Sequence, residues 1–294
     1  VSRTEQDEAE IEASRAPLMD HLIELRGRLL VCVVAFVIAF IVCFTFAAQI
    51  QLVLIHPFQA AAAMHAAQGH QVNPFDLIAV TAGFQPVPDG GQEVVQLIAT
   101  APLEQLFTKM KIAGFGAVVL AFPVLAFQLY RFVAPGLYRN EKGAFLPFLL
   151  AAPLLFLLGG ALVYFVMLPF VMWFSLGQQV VGDGVSVALL PKISEYLNLV
   201  TALLLAFGLC FQLPVVMTLL GLAGLISSKF MAEGRRYAIV AVVVVAAVVT
   251  PPDPISQLML AVPLVLLYEI SIWCVRLIEL RRKKADDADA LAAT

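Results

Sequence analysis

The sequence predicts an all-α, polytopic membrane protein with six transmembrane helices and both termini on the cytoplasmic side. Three observations carry this expectation. Of 294 residues, 61% are hydrophobic and only 13% charged, whereas a soluble domain is roughly 45–50% apolar and about 25% charged. The mean hydropathy is +0.93. The apolar residues fall in runs long enough to cross ~30 Å of hydrocarbon, which takes about 20 helical residues. The basic residues collect in alternate loops, the pattern that marks cytoplasmic segments.

The predicted spans, in order, are Leu29–Ile50, Ile112–Val133, Leu146–Trp173, Leu197–Leu222, Tyr237–Val249 and Leu258–Val275. The fifth has only 13 residues, or about 20 Å of helix at ~1.5 Å per residue. Either it crosses a locally thinned bilayer, or it forms a re-entrant pair with the sixth across TPPDPIS, Thr250–Ser256. A double proline and an aspartate at that turn favour full crossing. A long outer loop, about Gln51–Leu103, follows the first span. Its QPVPDGGQ stretch is a turn-rich break, and its apolar pieces, FDLIAV and VVQLIATAPL, are expected on or against the outer surface.

Orientation follows from charge. Arg3, Arg15, Arg26 and Arg28 precede the first span. Arg131, Arg139 and Lys142 join the second to the third, and Lys229, Arg235 and Arg236 join the fourth to the fifth. Arg276, Arg281, Arg282, Lys283 and Lys284 follow the sixth. Only Lys109, Lys111 and Lys192 of the 18 basic residues fall on the other face. The chain thus divides into an acidic, disordered N-terminal tail (1–16), a membrane domain (17–276) and a charged cytoplasmic tail (277–294). The opening segment VSRTEQDEAEIEASRAP lacks the apolar core of a secretory signal, so the first span reads as a retained anchor. Cys32, Cys43, Cys210 and Cys274 lie in apolar runs without a CxxC pair. They read as small packed hydrophobes, not as a disulfide framework.

Polar residues in or beside spans are costly in lipid and tend to face protein, water or a ligand. In PLMDHLIELRGRLL, Pro17–Leu30, the residues Asp20, Glu24 and Arg28 share one helical face. This is either an interfacial helix with a Glu24–Arg28 pair or a carboxylate held for a cationic partner. In FVAPGLYRNEKG, Phe132–Gly143, the single acid Glu141 stands between Arg139 and Lys142 after a Pro-Gly turn. It is either a solvated loop acid or a second carboxylate on the same face as Glu24. Carboxylates recognise guanidinium groups in bidentate fashion, so two of them could read two arginines. Gln212, mid-span beside Pro214, needs a partner for its amide. That partner is either a neighbouring helix or a ligand in a polar groove. Asp253 and Gln257 flank the outer start of the last span, where Asp253 can also serve as a helix cap, and Glu269 lies near that span's inner end.

The four histidines, His21, His56, His65 and His70, form no HExxH or other ligand cluster, and no GxSxG or P-loop is present. No metal or other cofactor and no nucleic-acid partner is expected. No chain of acids crosses the membrane as a proton relay would, and no internal repeat marks a transporter.

Taken together, PLMDHLIELRGRLL, FPVLAFQLYRFVAPGLYRNEKG, AFGLCFQLPVV and TPPDPISQLMLAVPLVLLYE resemble, in this order, the segments of TatC, the receptor subunit of the twin-arginine protein translocase. The likeness covers about Pro17–Val275. It implies a glove-shaped, six-helix protein of the bacterial cytoplasmic membrane that binds twin-arginine signal peptides of folded precursors. It also implies single-span TatA and TatB partners, a homo-oligomeric receptor complex, the proton-motive force as energy source, and no enzymatic activity. Glu24 and Glu141 match the family's signal-peptide contacts, with Arg26, Phe132, Pro135 and Tyr138 in the same two motifs. Gln212, Pro123, Asp253, Gln257 and Pro57 match positions of a groove for a partner helix or inserting peptide, on the outer loop and inside the spans. Gln212 stands where the family often has glutamate, and the stretch around 70–94 looks like an insertion. The alternative is a secondary transporter of a small solute, which needs a midplane site on discontinuous helices. A membrane enzyme would need a nucleophile and base that the chain lacks.

Overall fold

A computed structural model of the chain describes residues 3–68, 73–86, 97–99, 101–133, 145–178, 180–182, 185–187, 191–250 and 254–292. The helices are α1 (Arg3–Thr45), α2 (Ala47–Gln68), α3 (Pro74–Thr81), α4 (Glu104–Val133), α5 (Phe145–Leu162), α6 (Leu168–Leu176), α7 (Ile193–Cys210), α8 (Leu213–Leu222), α9 (Ser228–Glu233), α10 (Arg235–Val249) and α11 (Pro254–Ala292). A π-helical turn, Val163–Met167, joins α5 to α6. Strand pairing among the described residues is confined to an isolated parallel bridge between Ile98 and Lys192 and a small antiparallel hairpin. The hairpin pairs β1 (Val180–Gly182) with β2 (Val185–Val187).

Among the described residues, five stretches are long and apolar enough to cross a bilayer: Ile23–Thr45, Glu104–Arg131, Leu150–Leu176, Ile193–Leu222 and Ser256–Arg281. The sixth apolar helix, α10, has 15 residues, about 22 Å of length. It runs antiparallel along α11. Arg235 reaches Glu269 at one end, and Gln257 donates to the Val243 carbonyl at 3.4 Å further along. That lengthwise pairing fits a short crossing helix. Beyond Glu269, α9 lies along the next turns of α11. There Glu279 accepts from the Ser228 amide at 2.8 Å and from its hydroxyl, and Tyr268 donates to the Met231 carbonyl at 2.9 Å. The short helix thus fills the length that α10 leaves uncovered.

Two regions differ from the sequence reading. Helix α1 extends back to Arg3, where composition suggested a disordered tail. Its run of Glu, Gln and Ala favours helix. The outer segment after the first span is not one long loop but contains α2 and α3. FDLIAV forms most of α3 and buries Leu77 and Val80, as its apolar character suggested.

Small residues let the helices approach closely, which in lipid replaces the hydrophobic drive. Ala39, Ala117 and Ala121 form the α1–α4 contact, and a Cβ at Gly116 would sit 2.9 Å from Cys43 Sγ. A larger core joins α2, α3, α6 and α7 through Leu54, Phe58, Leu77, Leu168, Tyr196 and Phe207. A second joins α4, α5 and α8, where the rings of Phe122 and Phe156 stack at 4.0 Å between centroids.

Candidate functional site

Pro214 explains the break in the helix beside the mid-span amide. It has no N–H for the Cys210 carbonyl, so α7 ends there. The chain turns through Phe211 and Gln212, whose amides bond to the Phe207 and Leu209 carbonyls at 2.8 and 2.9 Å. The turn points Gln212 into the second core, where it is 8% exposed. Its Nε2 donates to the Ala152 carbonyl of α5 at 2.9 Å, and its Oε1 accepts from Tyr130 Oη of α4 at 3.4 Å. Gln212 is therefore an interhelical tie across three spans. Tyr130, which sequence reasoning did not single out, is its partner. The interruption is a discontinuous helix of the kind transporters use, yet its amide is bonded within the protein.

Beside the break, an apolar groove of about 570 Å³ runs between α5, α8 and α11, lined by Leu155, Leu158, Pro214, Thr218, Pro263 and Leu266 among others. Its one hydroxyl, on Thr218, bonds back to the Pro214 carbonyl. Such a lining suits hydrocarbon or an apolar helix and offers nothing to a polar solute.

A pocket of about 650 Å³ lies between the N-terminal ends of α4 and α7. Glu104 braces it, accepting from the Ala101 amide at 3.1 Å and from Ser194 Oγ at 2.5 Å. Lys111 donates to Asn198 at 3.1 Å, and Lys192 pairs with Glu195 at 3.6 Å. Of the three lysines assigned to the outer face, Lys111 is thus bonded across the joint between the second and fourth spans, while Lys192 pairs locally at the start of α7.

At the other end of the molecule, Glu24 lies on α1, half-buried and paired with Arg28, and Arg26 is exposed. Helices α1 and α4 run antiparallel with Cys43 against Gly116. Arg28 lies 15 residues before Cys43, and Arg131 lies 15 residues after Gly116. With equal rise per residue, Glu24 stands level with the C-terminal end of α4. Phe132 sits in that last turn, its side chain outside the described residues. Pro135, Tyr138, Glu141 and Asp253 lie outside them altogether. Pro123 is an exposed residue within α4, and Gln257 is half-buried on α11.

Pro57 is buried inside α2 and opens its backbone ladder, as proline must. Tyr164 Oη, presented by the π-turn, donates to the Val53 carbonyl at 2.8 Å, and Tyr196 Oη donates to the Leu54 carbonyl at 2.9 Å. A bidentate pair, Arg235 Nε to Glu269 Oε1 at 2.7 Å and Nη2 to Oε2 at 2.8 Å, pins α10 to α11. Sequence reasoning placed Glu269 but not its partner, because the pair spans 34 positions.

The role of Gln212 yields a first prediction. Gln212→Leu should destabilise the protein in detergent by about 1–2 kcal/mol, since it removes a buried hydrogen bond to the α5 backbone and leaves the Tyr130 hydroxyl without its partner in the core. Tyr130→Phe should cost less, about 0.6 kcal/mol, typical of an interhelical bond in a membrane. In a double-mutant cycle read by thermal unfolding, the two losses should not add. Additive losses would show that the 3.4 Å contact contributes nothing.

The sequence profile of the family described as Sec-independent protein translocase protein (TatC) matches residues 20–263. The chain is 40% identical over 275 residues to the Sec-independent protein translocase protein TatC of Magnetococcus marinus, covering 94% of this chain and 89% of that protein. It is 34% identical to the protein of the same name from Aquifex aeolicus, covering 92% of this chain and 100% of that one. A crystal structure of the twin arginine translocase receptor TatC superposes with a TM-score of 0.67 at 34% identity, covering 87% of this chain and 98% of that chain. With its fold, its spans and these relatives in agreement, the chain belongs to the TatC family of Sec-independent protein translocase proteins.

Proposed function

We propose that this translocase component is the receptor for twin-arginine signal peptides, held in the bacterial cytoplasmic membrane with both termini inside. Glu24 and Glu141 are its two recognising carboxylates. Arg26, Phe132, Pro135 and Tyr138 shape the same surface. The observation that carries the reading is the antiparallel α1–α4 packing. It sets Glu24 level with the end of α4, from which the chain enters the segment holding Glu141. Two carboxylates on one membrane face suit two guanidinium groups.

The protein recruits single-span TatA and TatB subunits and works as a homo-oligomer within the receptor complex. The apolar groove beside Gln212 suits a transmembrane helix, either of a partner or of an inserting signal peptide, better than a small polar solute. Gln257 and Asp253, at the outer start of α11, belong to the same partner-facing side, and Pro123 and Pro57 shape the helices around it. The chain performs no chemistry of its own and hydrolyses no nucleotide. The proton-motive force supplies the energy, and the partner subunits form the passage.

The test is peptide binding to the purified chain in lipid nanodiscs. Charge-assisted hydrogen bonds are individually worth roughly 1.5–3 kcal/mol, and the nearby bases and water favour the lower end. Glu24→Ala and Glu141→Ala should each weaken a twin-arginine peptide about tenfold, the ratio that 1.4 kcal/mol gives. A Lys-Lys peptide should bind more weakly to the native chain and lose little further in either variant. Equal proportional losses for the two peptides, abolished by high salt, would reduce Glu24 and Glu141 to diffuse charge.

A further inference from the structure

Glu24 does not stand bare on its helix. Its Oε1 accepts from Arg28 Nε at 3.1 Å and from Arg28 Nη2. An acid one turn before a base is a favourable helical pair, and helix stabilisation is the ordinary use of such a contact. Two observations exceed that use. Arg28 is the more buried partner, its side chain 15% exposed against 37% for Glu24. Its Nη1 is inaccessible and has no hydrogen-bond partner. A pair that served the helix alone would gain nothing by burying a guanidinium with a donor unmet, which is unfavourable. The contact also uses the Nε and Nη2 edge of the guanidinium, an edge that an incoming arginine can itself present to a carboxylate.

Resting on the receptor role proposed for Glu24, we infer that Arg28 is an internal competitor of the signal peptide's arginine and thereby sets the receptor's affinity. A peptide guanidinium that docks on Glu24 takes the oxygen that Arg28 holds. It offsets the broken pair with forked contacts of the same kind. A peptide ammonium meets that oxygen as a point charge and offsets less. Arg28 therefore sets a threshold that every occupant must pass. The cost of freeing Glu24 is the same for lysine as for arginine, so it lowers both affinities by one factor and leaves the preference to Glu24 itself.

The experiment compares Arg-Arg and Lys-Lys peptides, fluorescently labelled, by anisotropy on the full chain in nanodiscs. Arg28→Met keeps the aliphatic bulk and removes the competitor. It should bind both peptides roughly threefold tighter, a change within reach of one partly exposed ion pair. The gain should persist at 0.5 M salt, where diffuse charge effects are screened. Arg28→Gln, measured alongside, keeps a neutral donor toward Glu24 and guards against a misfolded Met variant; it should shift both affinities in the same direction. Unchanged or weaker binding of either peptide in the folded variants overturns the inference and leaves Arg28 a helix-stabilising partner. Glu24→Gln separates this failure from failure of the receptor reading. If Glu24→Gln leaves both affinities unaltered, the role of Glu24 itself falls. If it weakens the Arg-Arg peptide while the Arg28 variants change nothing, only the competitor falls.

Discussion

Gly159→Val is expected to lower the stability of the protein in detergent by about 3 kcal/mol, the upper end of overpacking penalties, while Gly160→Ala leaves it unchanged or raises it. The two glycines are adjacent on α5, so helix propensity cannot separate them. Alone, propensity would make Ala better than Gly by roughly 1 kcal/mol at either site. Their surroundings differ. A Cβ at Gly159 would stand 2.8 Å from the Phe207 carbonyl oxygen and 3.0 Å from its carbon, both backbone atoms of α7. At Gly160 the nearest atom is a Leu204 methyl at 4.0 Å. The reciprocal contact is equally close, since a Cβ at Gly208 of α7 would stand 2.6 Å from the Phe156 ring. That ring cannot swing aside freely, because it stacks on Phe122 of α4. Gly208→Val should therefore resemble Gly159→Val, and both should lower the thermal unfolding midpoint together with the yield of folded protein. If Gly159→Val and Gly160→Ala unfold at the same temperature, the close crossing of α5 and α7 is not a determinant of this fold.

The spans were legible because they depend on local composition. A run of apolar residues with few charges is a helix in lipid wherever it falls, and five of the six appear as full-length crossing helices with α10 as the short one. Helix α2 was not legible. AAQIQLVLIHPFQAAAAMHAAQ carries a proline at its centre and four glutamines among its apolar residues, so it reads as loop. Its helical state depends on partners supplied by α6 and α7, which no local pattern announces. The mid-span amide was legible as an oddity, since Gln212 is the strongly polar residue in its run. Its partners, 82 and 60 positions away, were not. The Glu24–Arg28 pair could be read from an i,i+4 spacing, whereas the burial of Arg28 is a product of packing and could not.

Tyr164→Phe and Tyr196→Phe together should destabilise the α2 end of the fold by about 2 kcal/mol, more than either alone, and Pro57→Ala should relieve part of the loss. The reasoning begins with the proline. Pro57 has no N–H, so the Val53 carbonyl one turn earlier lacks its helical donor. Tyr164 supplies one at 2.8 Å. It can do so because the π-turn at Val163–Met167 adds a residue to that stretch of helix and so turns the side chain relative to a continuous α-helix. The next carbonyl, Leu54, is buried and takes the Tyr196 hydroxyl at 2.9 Å. Two spans far apart in sequence are thus fastened to one opened turn of α2. Losing the Tyr164 hydroxyl strands the Val53 carbonyl, which costs about 1–3 kcal/mol where buried and less where exposed. The Leu54 carbonyl keeps its own helical donor, the Phe58 amide, so Tyr196→Phe removes a second, buried hydrogen bond worth about 1 kcal/mol. In Pro57→Ala the restored amide can bond to Val53, so the Tyr164→Phe loss should shrink to a few tenths of a kcal/mol, while the Tyr196→Phe loss remains. Thermal unfolding of the three single and three double variants in one detergent reads this difference directly. A Tyr164→Phe loss of the same size with and without Pro57 would show that the hydroxyl does not replace the missing helical donor.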